Sequence, residues 1–285
     1  MRDPSTWQGL WPSETRDRLA VSAVLVGVPV AILFEFLIVV PNYLTVGSGP
    51  FWFHAALVLF IAANFAGNMY KIATVEPSGR NSDLPSVLRP GWRYCHACRL
   101  NSPPRSYHCA VCDLCILKRD HHCAFAGTCI GYSNHRYYLL AAAYGWIGCA
   151  YAMWWHWSYI WSSLGGIGVW SIFCIVMPHL ALMTFQTTPF QFLLGAVQMS
   201  TITGLTLCTY LMALQLFCIL NGQTLVERRH GIRTYDLGPY LNLQDVLGSQ
   251  WFLTWLFPWL PSALPGNGLK FRIRTENPEE TFKDM

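Results

Sequence analysis

One stretch of 35 residues decides what this chain can fold into: CHACRLNSPPRSYHCAVCDLCILKRDHHCAFAGTC, which runs from Cys95 to Cys129. Seven of the eleven cysteines of the chain lie inside it. Two of its cysteine pairs, Cys95–Cys98 and Cys109–Cys112, have the two-residue gap that lets a backbone turn present two thiolates to one Zn²⁺. The density of cysteine and histidine therefore predicts a metal-binding domain.

The number of donors predicts two zinc ions with something left over. The first cysteine pair and the residues from His108 onward supply ten Cys and His side chains, whereas two tetrahedral zinc ions use about eight. His108 and Cys109 are neighbours whose side chains diverge, so we expect them to serve different zinc ions in two interleaved sites. A disulfide framework is the alternative, but seven is an odd number and cytosolic domains rarely keep disulfides.

The surplus donors change the expectation from a binding module to an enzyme. A zinc domain alone is most often a partner-binding module. One spare cysteine and one spare histidine beside Asp120, however, make up the set needed for an activated nucleophile: a thiolate, a base and a carboxylate that orients the base. Metal-assisted hydrolysis is disfavoured, since closed four-ligand zinc sites have no open position for water.

The spacing resembles the cysteine-rich domain of the DHHC protein S-acyltransferases (palmitoyltransferases). The matching pattern is Cys95-x2-Cys98-x9-His108-Cys109-x2-Cys112-x2-Cys115-x4-Asp120-His121-His122-Cys123-x5-Cys129-x4-Asn134. The resemblance implies two zinc sites, one formed by Cys95, Cys98, His108 and Cys115, the other by Cys109, Cys112, His122 and Cys129. It also implies that Cys123 is the nucleophile, that His121 is its base and that Asp120 orients His121.

The chain departs from the family pattern at a few positions near these residues. Ala124-Phe125 follows the nucleophile where the family usually has Pro-Trp, and Gly127-Thr128 replaces the usual Asn pair. Leu225 replaces the second Thr of the family's Thr-Thr-x-Glu motif, which Thr224–Glu227 otherwise resembles. Because the nucleophile and the zinc ligands are intact, we expect altered efficiency or chain preference rather than lost chemistry.

The composition indicates a membrane protein. Apolar residues make up 53% and charged residues only 12% of the chain, well below the charge of a soluble domain. Apolar runs of sufficient length predict four spans, at about residues 20–40, 51–69, 137–160 and 197–220. Glu35 lies inside the first span, where a carboxyl is either a functional group or hydrogen-bonded between helices.

The distribution of charge predicts the topology. All nineteen Lys and Arg residues lie outside the charge-free stretch Tyr137–Val226, and the positive-inside rule places such segments in the cytosol. The stretch must then cross the membrane an even number of times, so we expect residues 170–185 to be re-entrant or interfacial. A different division of residues 165–220 is the alternative. Residues 251–260 are expected to form an interfacial helix.

The expected fold is an all-α polytopic membrane protein with four transmembrane helices, whose cytosolic cysteine-rich domain binds two zinc ions between helices 2 and 3. No internal repeat is expected. The predicted segments are a cytosolic N-terminal arm without signal-peptide features (1–19), a transmembrane hairpin (20–70), the zinc domain (71–136), helices 3 and 4 with an apolar lumenal or re-entrant connection (137–226) and a cytosolic tail (227–285).

The family resemblance implies an activity and its partners. Palmitoyl-CoA, or another long-chain acyl-CoA, would acylate Cys123, and a cysteine of a membrane-associated substrate protein would then take the acyl group, at the endoplasmic reticulum or Golgi. Arg105, Lys118 and Arg119 are expected to meet coenzyme A phosphates, or else to lie near anionic lipid. Gly148 is expected to leave room for a chain of sixteen carbons or more.

Two further expectations concern what else the chain could do. A non-catalytic membrane scaffold that binds partner proteins through the same zinc fold is the alternative function, because the residues around the nucleophile depart from the family pattern. Nucleic acid is not an expected partner, because the zinc domain is tethered between membrane spans and has no extended basic helix.

Overall fold

The computed structural model describes residues 11–80 and 84–274, so the first ten residues of the predicted N-terminal arm lie outside the described part. The chain divides into two compact units. Of the described residues, the first unit comprises 11–24, 66–80, 84–141 and 212–274, and it includes the cysteine-rich stretch. The second unit comprises residues 25–65 and 142–211 and is built from helices.

Among the described residues, four helices are 20 residues or longer. Helix α1 (Thr15–Phe34) continues into a π-helical turn, Glu35–Val39, and a 3-10 turn, Val40–Asn42. The other three long helices are α2 (Gly49–Thr74), α3 (His135–Ser163) and α6 (Pro189–Leu220).

Three of these helices are long and apolar enough to cross a membrane, within the part of the chain that the structure describes: Thr15–Asn42, Gly49–Thr74 and Pro189–Leu220. Helix α3 has 29 residues, which is also sufficient length, but it is not among the three. Its sequence is rich in Tyr, Trp and His, whose polar atoms lower its hydropathy even though such rings favour the membrane interface.

The charge-free stretch contains two short helices between α3 and α6. Helix α4 (Val169–Val176) and helix α5 (Pro178–Met183) meet at Met177, and Pro178 begins the second of them. Proline favours the first turn of a helix and cannot continue the preceding one, which explains the break. Both helices fall in the region predicted to be re-entrant or interfacial, and neither has the length of a span.

The cysteine-rich stretch forms three β-hairpins, which the all-α prediction lacked. Each hairpin joins two antiparallel strands of three residues: β1 (Arg93–Cys95) with β2 (Leu100–Ser102), β3 (Tyr107–Cys109) with β4 (Leu114–Ile116), and β5 (His121–Cys123) with β6 (Thr128–Ile130). Strands of three residues are too short to show the alternating pattern by which strands are recognised in a sequence.

The three hairpins are copies of one unit, so the expectation of no internal repeat was wrong. Cys95, Cys109 and Cys123 are spaced 14 residues apart, and each ends the first strand of its hairpin. Their strand partners are Leu100, Leu114 and Thr128 in the same register. Each turn also has a left-handed residue four positions after the cysteine: Arg99 (φ 53°), Asp113 (φ 53°) and Gly127 (φ 62°).

The C-terminal region of the first unit contains two short helices. Helix α7 (Leu225–Arg229) follows α6 closely, and helix α8 (Pro239–Leu247) packs with its Val246 and Leu247 in a buried cluster. The interfacial helix expected at residues 251–260 is a single 3-10 turn, Leu253–Trp255. Pro258 and Pro261 explain the difference, because proline removes the amide that a continuing helix requires.

The second unit has its own core and an apolar cavity of about 240 Å³. Gly148 and Ile61 line this cavity, together with the carboxyl of Glu35, which is 4% exposed. Nδ1 of His156 lies 3.5 Å from Oε2 of Glu35. The first-span carboxyl is therefore buried beside an imidazole, but neither of its oxygens has a hydrogen-bond partner among the described residues, so the hydrogen-bonded alternative is not borne out.

Candidate catalytic and metal-binding site

The structure gathers the predicted metal ligands into two four-residue clusters. Among the described residues, one cluster contains Cys95, Cys98, His108 and Cys115, and the other contains Cys109, Cys112, His122 and Cys129. Within each cluster the ligand atoms all lie within 4.8 Å of one another. All eleven cysteines lie in the described ranges and are free thiols, so the disulfide alternative finds no support.

Both clusters have dimensions that suit tetrahedral zinc. Metal–ligand bonds of roughly 2.0–2.3 Å place neighbouring ligand atoms about 3.3–3.8 Å apart. In the first cluster Sγ of Cys98 lies 3.2 Å from Nδ1 of His108. In the second, Nδ1 of His122 lies 3.3, 3.7 and 3.8 Å from the sulfurs of Cys112, Cys129 and Cys109. The thiolate and imidazole donors are also the types that zinc prefers.

The hairpin repeat explains why the two clusters interleave. Each cluster takes its two-residue-gap cysteine pair from the turn of one hairpin and a cross-strand pair from the next hairpin. The cross-strand pairs are His108 with Cys115 and His122 with Cys129. His108 and Cys109 therefore contribute to different clusters, as the divergence of adjacent side chains predicts.

The third hairpin has only half of a metal-binding turn. Cys123 occupies the position of Cys95 and Cys109, but Ala126 stands where the second cysteine of each pair would be. The turn still closes, with the amide of Ala126 donating to the carbonyl of Cys123 over 3.2 Å. Cys123 is therefore held by a zinc-type turn and is outside both clusters.

His121 connects the Cys123 thiol to a buried carboxylate. Its Nδ1 lies 2.7 Å from Oδ2 of Asp120, and Cys123 is near enough to the ring to raise its pKa. Burial lowers the pKa of His121, but the contacts with Asp120 and Cys123 outweigh it and raise the pKa to about 9. An imidazole with this pKa can hold the proton of a neighbouring thiol, which is what a cysteine nucleophile requires.

Asp120 is fixed by donors from outside its hairpin. Its carboxylate is 1% exposed and accepts 2.7 Å and 2.8 Å hydrogen bonds from Nε2 of Gln215 and the backbone amide of Leu225. Burial alone raises the pKa of Asp120, but the hydrogen bond with His121 and the one from the Leu225 amide hold that pKa well below its usual range. The carboxylate therefore stays ionised, and its orientation depends on the C-terminal region.

His135 extends this network by one residue. Its Nε2 lies 2.9 Å from Oε1 of Gln215, and both side chains are buried. Burial is the main cause that lowers the pKa of His135, so its ring is neutral at neutral pH. A neutral ring can donate its Nε2 hydrogen to Gln215, which leaves the Gln215 amide group to donate to Asp120. No sequence motif pointed to Gln215.

The Thr224–Glu227 segment is a capping box at the start of α7. The Thr224 hydroxyl accepts a hydrogen bond from the Glu227 amide, and the Glu227 carboxylate accepts one from the Thr224 amide. The same carboxylate pairs with Nε of Arg105 over 2.6 Å, although the two residues are 122 positions apart. The capping box explains the Thr of the motif, and the capping box together with the Arg105 ion pair explains the Glu. Leu225 contributes through its backbone amide, which donates to Asp120.

The residues predicted to contact coenzyme A lie in different surroundings. Arg105 is 4% exposed and is engaged by Glu227, so a phosphate would have to displace that carboxylate. Lys118 is 5% exposed, and its amine donates to the Asp245 carbonyl over 3.0 Å. Burial, with Arg105 nearby, lowers the pKa of Lys118 to about 8. Arg119 is half-buried and donates to the carbonyl of His108.

Comparisons with known proteins agree with the motif. The family description "DHHC palmitoyltransferase" matches residues 89–232, which is half of the chain. The chain belongs to the DHHC palmitoyltransferase family. It is 34% identical over 222 residues to the probable palmitoyltransferase ZDHHC24 of Danio rerio, covering 77% of this chain and 75% of that protein.

Human relatives show the same similarity. The probable palmitoyltransferase ZDHHC24 of Homo sapiens is 34% identical over 232 residues, or 78% of each chain. The palmitoyltransferase ZDHHC22 of Homo sapiens is 31% identical over 231 residues, or 73% of this chain and 78% of the other. The chain is therefore a membrane protein S-acyltransferase, and the non-catalytic scaffold alternative is not supported. A ping-pong reaction is characteristic of this family.

Proposed function

We propose that the chain transfers a palmitoyl group from palmitoyl-CoA to Cys123 and from there to cysteines of substrate proteins. The observation that carries this assignment is the Asp120–His121–Cys123 arrangement, in which one ring joins a buried carboxylate at 2.7 Å to a thiol that is outside both metal clusters. Cys123 is the nucleophile, His121 is the base and Asp120 holds the His121 ring.

The first half-reaction exchanges one thioester for another. The Cys123 thiol gives its proton to His121, and the thiolate attacks the carbonyl carbon of the acyl-CoA thioester. The new carbon–sulfur bond forms on Cys123, and the bond to coenzyme A breaks. The leaving thiolate of coenzyme A takes the proton from the His121 imidazolium, so atoms and charge balance.

The second half-reaction runs the same chemistry with a substrate cysteine. That thiol gives its proton to His121 and attacks the acyl group on Cys123, which leaves as a thiolate and recovers the proton. The eight cluster residues would hold two zinc ions with closed four-ligand shells, which supply geometry rather than a reactive position. His122, a proposed zinc ligand next to Cys123, fixes the reactive hairpin in this way.

The donor and the membrane complete the proposal. Arg119 is the most accessible of the three predicted coenzyme A residues, and we assign a phosphate contact to it. Arg105 and Lys118 instead hold the C-terminal region through Glu227 and Asp245. The positive-inside rule supports a cytosolic zinc domain and cytosolic termini, with α3 as the fourth span. We assign the protein to the endoplasmic reticulum or Golgi by family resemblance.

The preferred acyl chain is long. Gly148 lines the apolar cavity of the second unit, and the nearest atom to a side-chain carbon at this position would be Cγ2 of Ile61, at 3.4 Å. Burying an alkyl chain contributes about 0.8 kcal/mol per methylene, so a long acyl group has a strong preference for an apolar cavity. Use of acyl-CoA of fourteen carbons or fewer, to the exclusion of palmitoyl-CoA, would contradict this assignment.

The release of coenzyme A from palmitoyl-CoA without an acceptor protein tests the catalytic assignment. Purified wild type should release a burst of one coenzyme A per chain, followed by slow turnover. Cys123→Ser should give no burst, whereas Cys174→Ser, which alters a buried cysteine of the second unit, should keep it. A burst from Cys123→Ser equal to that of wild type would exclude Cys123 as the nucleophile.

A further inference from the structure

The N-terminal segment Pro12–Arg18 reaches the second metal cluster. Oδ2 of Asp17 lies 2.7 Å from Nε2 of His122, and the two residues are 105 positions apart in the chain. Asp17 is 2% exposed, and the His122 side chain is 8% exposed. A contact this short between two buried groups is a hydrogen bond in which the imidazole nitrogen donates to the carboxylate.

The two nitrogens of His122 have separate partners. Nδ1 faces the sulfurs of Cys109, Cys112 and Cys129, at 3.3–3.8 Å, so it is the atom that would bind the metal. Nε2 faces Asp17. A hydrogen bond on the second nitrogen of a ligating histidine fixes its tautomer and the orientation of its ring, and it makes the ligating nitrogen more basic.

The rest of the segment is held against the same hairpin. Nε of Arg18 donates to the carbonyl of Pro12 over 2.8 Å, which closes the segment on itself. Pro12 packs directly over Gly127 in the turn after Cys123, where an added side-chain carbon would collide with the proline ring. Gly127 also has φ 62°, a backbone conformation that favours glycine. Glycine at this position, a departure from the family pattern, thus makes room for Pro12.

We propose that Asp17 is a positioning residue for the second zinc ion and that it acts through His122. The inference rests on the proposed function, in which the second cluster binds zinc. His108 in the first cluster provides the comparison: the carboxylate nearest to its Nε2 is Asp113, at 3.8 Å, and the Asp113 side chain is 88% exposed. Within the described residues, the carboxylate that accompanies the first cluster is local and solvent-exposed, whereas the second cluster has a buried one from the N-terminal segment.

Zinc retention tests the proposal on the full-length protein in detergent. Zinc content and the rate of zinc release to a chelator should be measured for wild type, Asp17→Ala, Asp17→Asn and Asp113→Asn. Asp17→Ala should release one zinc ion per chain about 10–100-fold faster than wild type and retain the other normally. Asp17→Asn keeps an acceptor oxygen without the charge and should be intermediate. Asp113→Asn removes the exposed carboxylate, suits the left-handed backbone at this position and should match wild type.

Each outcome separates the inference from the proposed function. Wild type with fewer than two zinc ions would overturn the two-zinc proposal itself. Wild type with two zinc ions and a folded Asp17 variant with unchanged release would overturn only the role of Asp17. Equal acceleration of both zinc ions would mean that Asp17 stabilises the whole unit, which would also contradict the proposal. If Asp17→Ala does not fold, the zinc-release measurement is made on Asp17→Asn, which preserves the size of the side chain.

Discussion

The second and third hairpins share one backbone but differ in what their cysteines can do. In the second hairpin, Cys109 and Cys112 point from one turn into a metal cluster. In the third, Cys123 has the same place in the register, but its turn partner is Ala126. The left-handed residues Asp113 and Gly127 show that both turns have the same geometry.

The comparison indicates how a metal-binding turn can become a reactive one. The cysteines of the two clusters would have their thiolates coordinated in closed four-ligand sites, whereas Cys123 lies outside both clusters and keeps its thiol free to react. With Ala126 in place of a second cysteine, Cys123 stays outside both clusters, and the adjacent His122, a proposed zinc ligand, would fix the strand. A thiol that binds a metal ion loses its proton to do so. Cys123 has no metal ligand set, and the proposed acceptor of its proton is His121, which Asp120 holds.

The largest effect is expected from removing the proton acceptor of the third hairpin. His121→Ala should slow autoacylation by about 10²–10⁴-fold, since general base catalysis contributes that much. Zinc content should not change, because His121 lies outside both clusters. Rapid-quench measurement of labelled palmitoyl transfer checks the rate. A His121→Ala variant that acylates at the wild-type rate would show that Cys123 needs no base.

The pH dependence of autoacylation tests the role of Asp120 in holding the proton on His121. Asp120 raises the pKa of His121, so Asp120→Asn should lower that pKa and leave less imidazolium to stabilise the Cys123 thiolate. The His121 imidazolium then loses its proton at lower pH, so the basic limb of the autoacylation profile should move downward in pH. Asp113→Asn, which changes an exposed carboxylate of the second hairpin, is the matched control and should leave the profile unchanged.

Restoring the missing turn cysteine should make the third hairpin resemble the second. Ala126→Cys gives Cys123 a second thiol across a two-residue gap, and such a pair can bind a metal ion or oxidise, so autoacylation should fall by at least about tenfold. Ala126→Ser adds a side chain of similar size without a soft ligand and should retain most activity. Zinc content and thiol counts would be measured alongside the rate. Full activity of reduced, zinc-loaded Ala126→Cys would contradict the comparison.

Removing the hydrogen bond from Gln215 to Asp120 should lower the autoacylation rate less than removing His121 does. Gln215→Leu removes the side-chain donor to Asp120, and autoacylation should fall by about tenfold, in line with the free energy of one hydrogen bond to a charged group. Gln250→Leu, at an exposed position, is the control. Both variants should keep wild-type zinc content. Loss of zinc from Gln215→Leu would mean that the residue supports the clusters rather than Asp120.

The smallest effects are expected at Leu225, where the backbone matters more than the side chain. Leu225→Pro deletes the amide that donates to Asp120, while proline suits the first residue of a helix and the extended Thr224 before it. Autoacylation should fall by about fivefold. Leu225→Thr restores the family residue and keeps the amide, so it should change the rate by less than about twofold. The reverse order would contradict the backbone role.

Much of the site could be predicted from the sequence because its residues are close together in the chain. The two ligand sets follow from fixed spacing within one stretch, and the structure brings the same eight residues together. The 14-residue spacing of Cys95, Cys109 and Cys123 is visible in the same stretch, so the repeat was also predictable from the sequence. The hairpins could not be recognised, because three-residue strands are too short for a periodic signal.

The parts that the sequence did not predict depend on distant or backbone contacts. Asp17 and Gln215 each lie about a hundred positions from their partners, and neither belongs to a recognisable motif. The Leu225 amide has no residue signature, because every residue except proline has one. The buried positions of Arg105 and Lys118 were also not predictable from their charge, which led to the expectation of phosphate contacts.

The intact mass of the purified protein after brief exposure to palmitoyl-CoA tests the central claim most directly. Wild type should gain the mass of one palmitoyl group, hydroxylamine should remove it, and Cys123→Ser should gain none. Retention of both zinc ions by Cys123→Ser would show that the loss is chemical rather than structural. An equal mass gain on Cys123→Ser, or an acyl group that resists hydroxylamine, would contradict a thioester on Cys123.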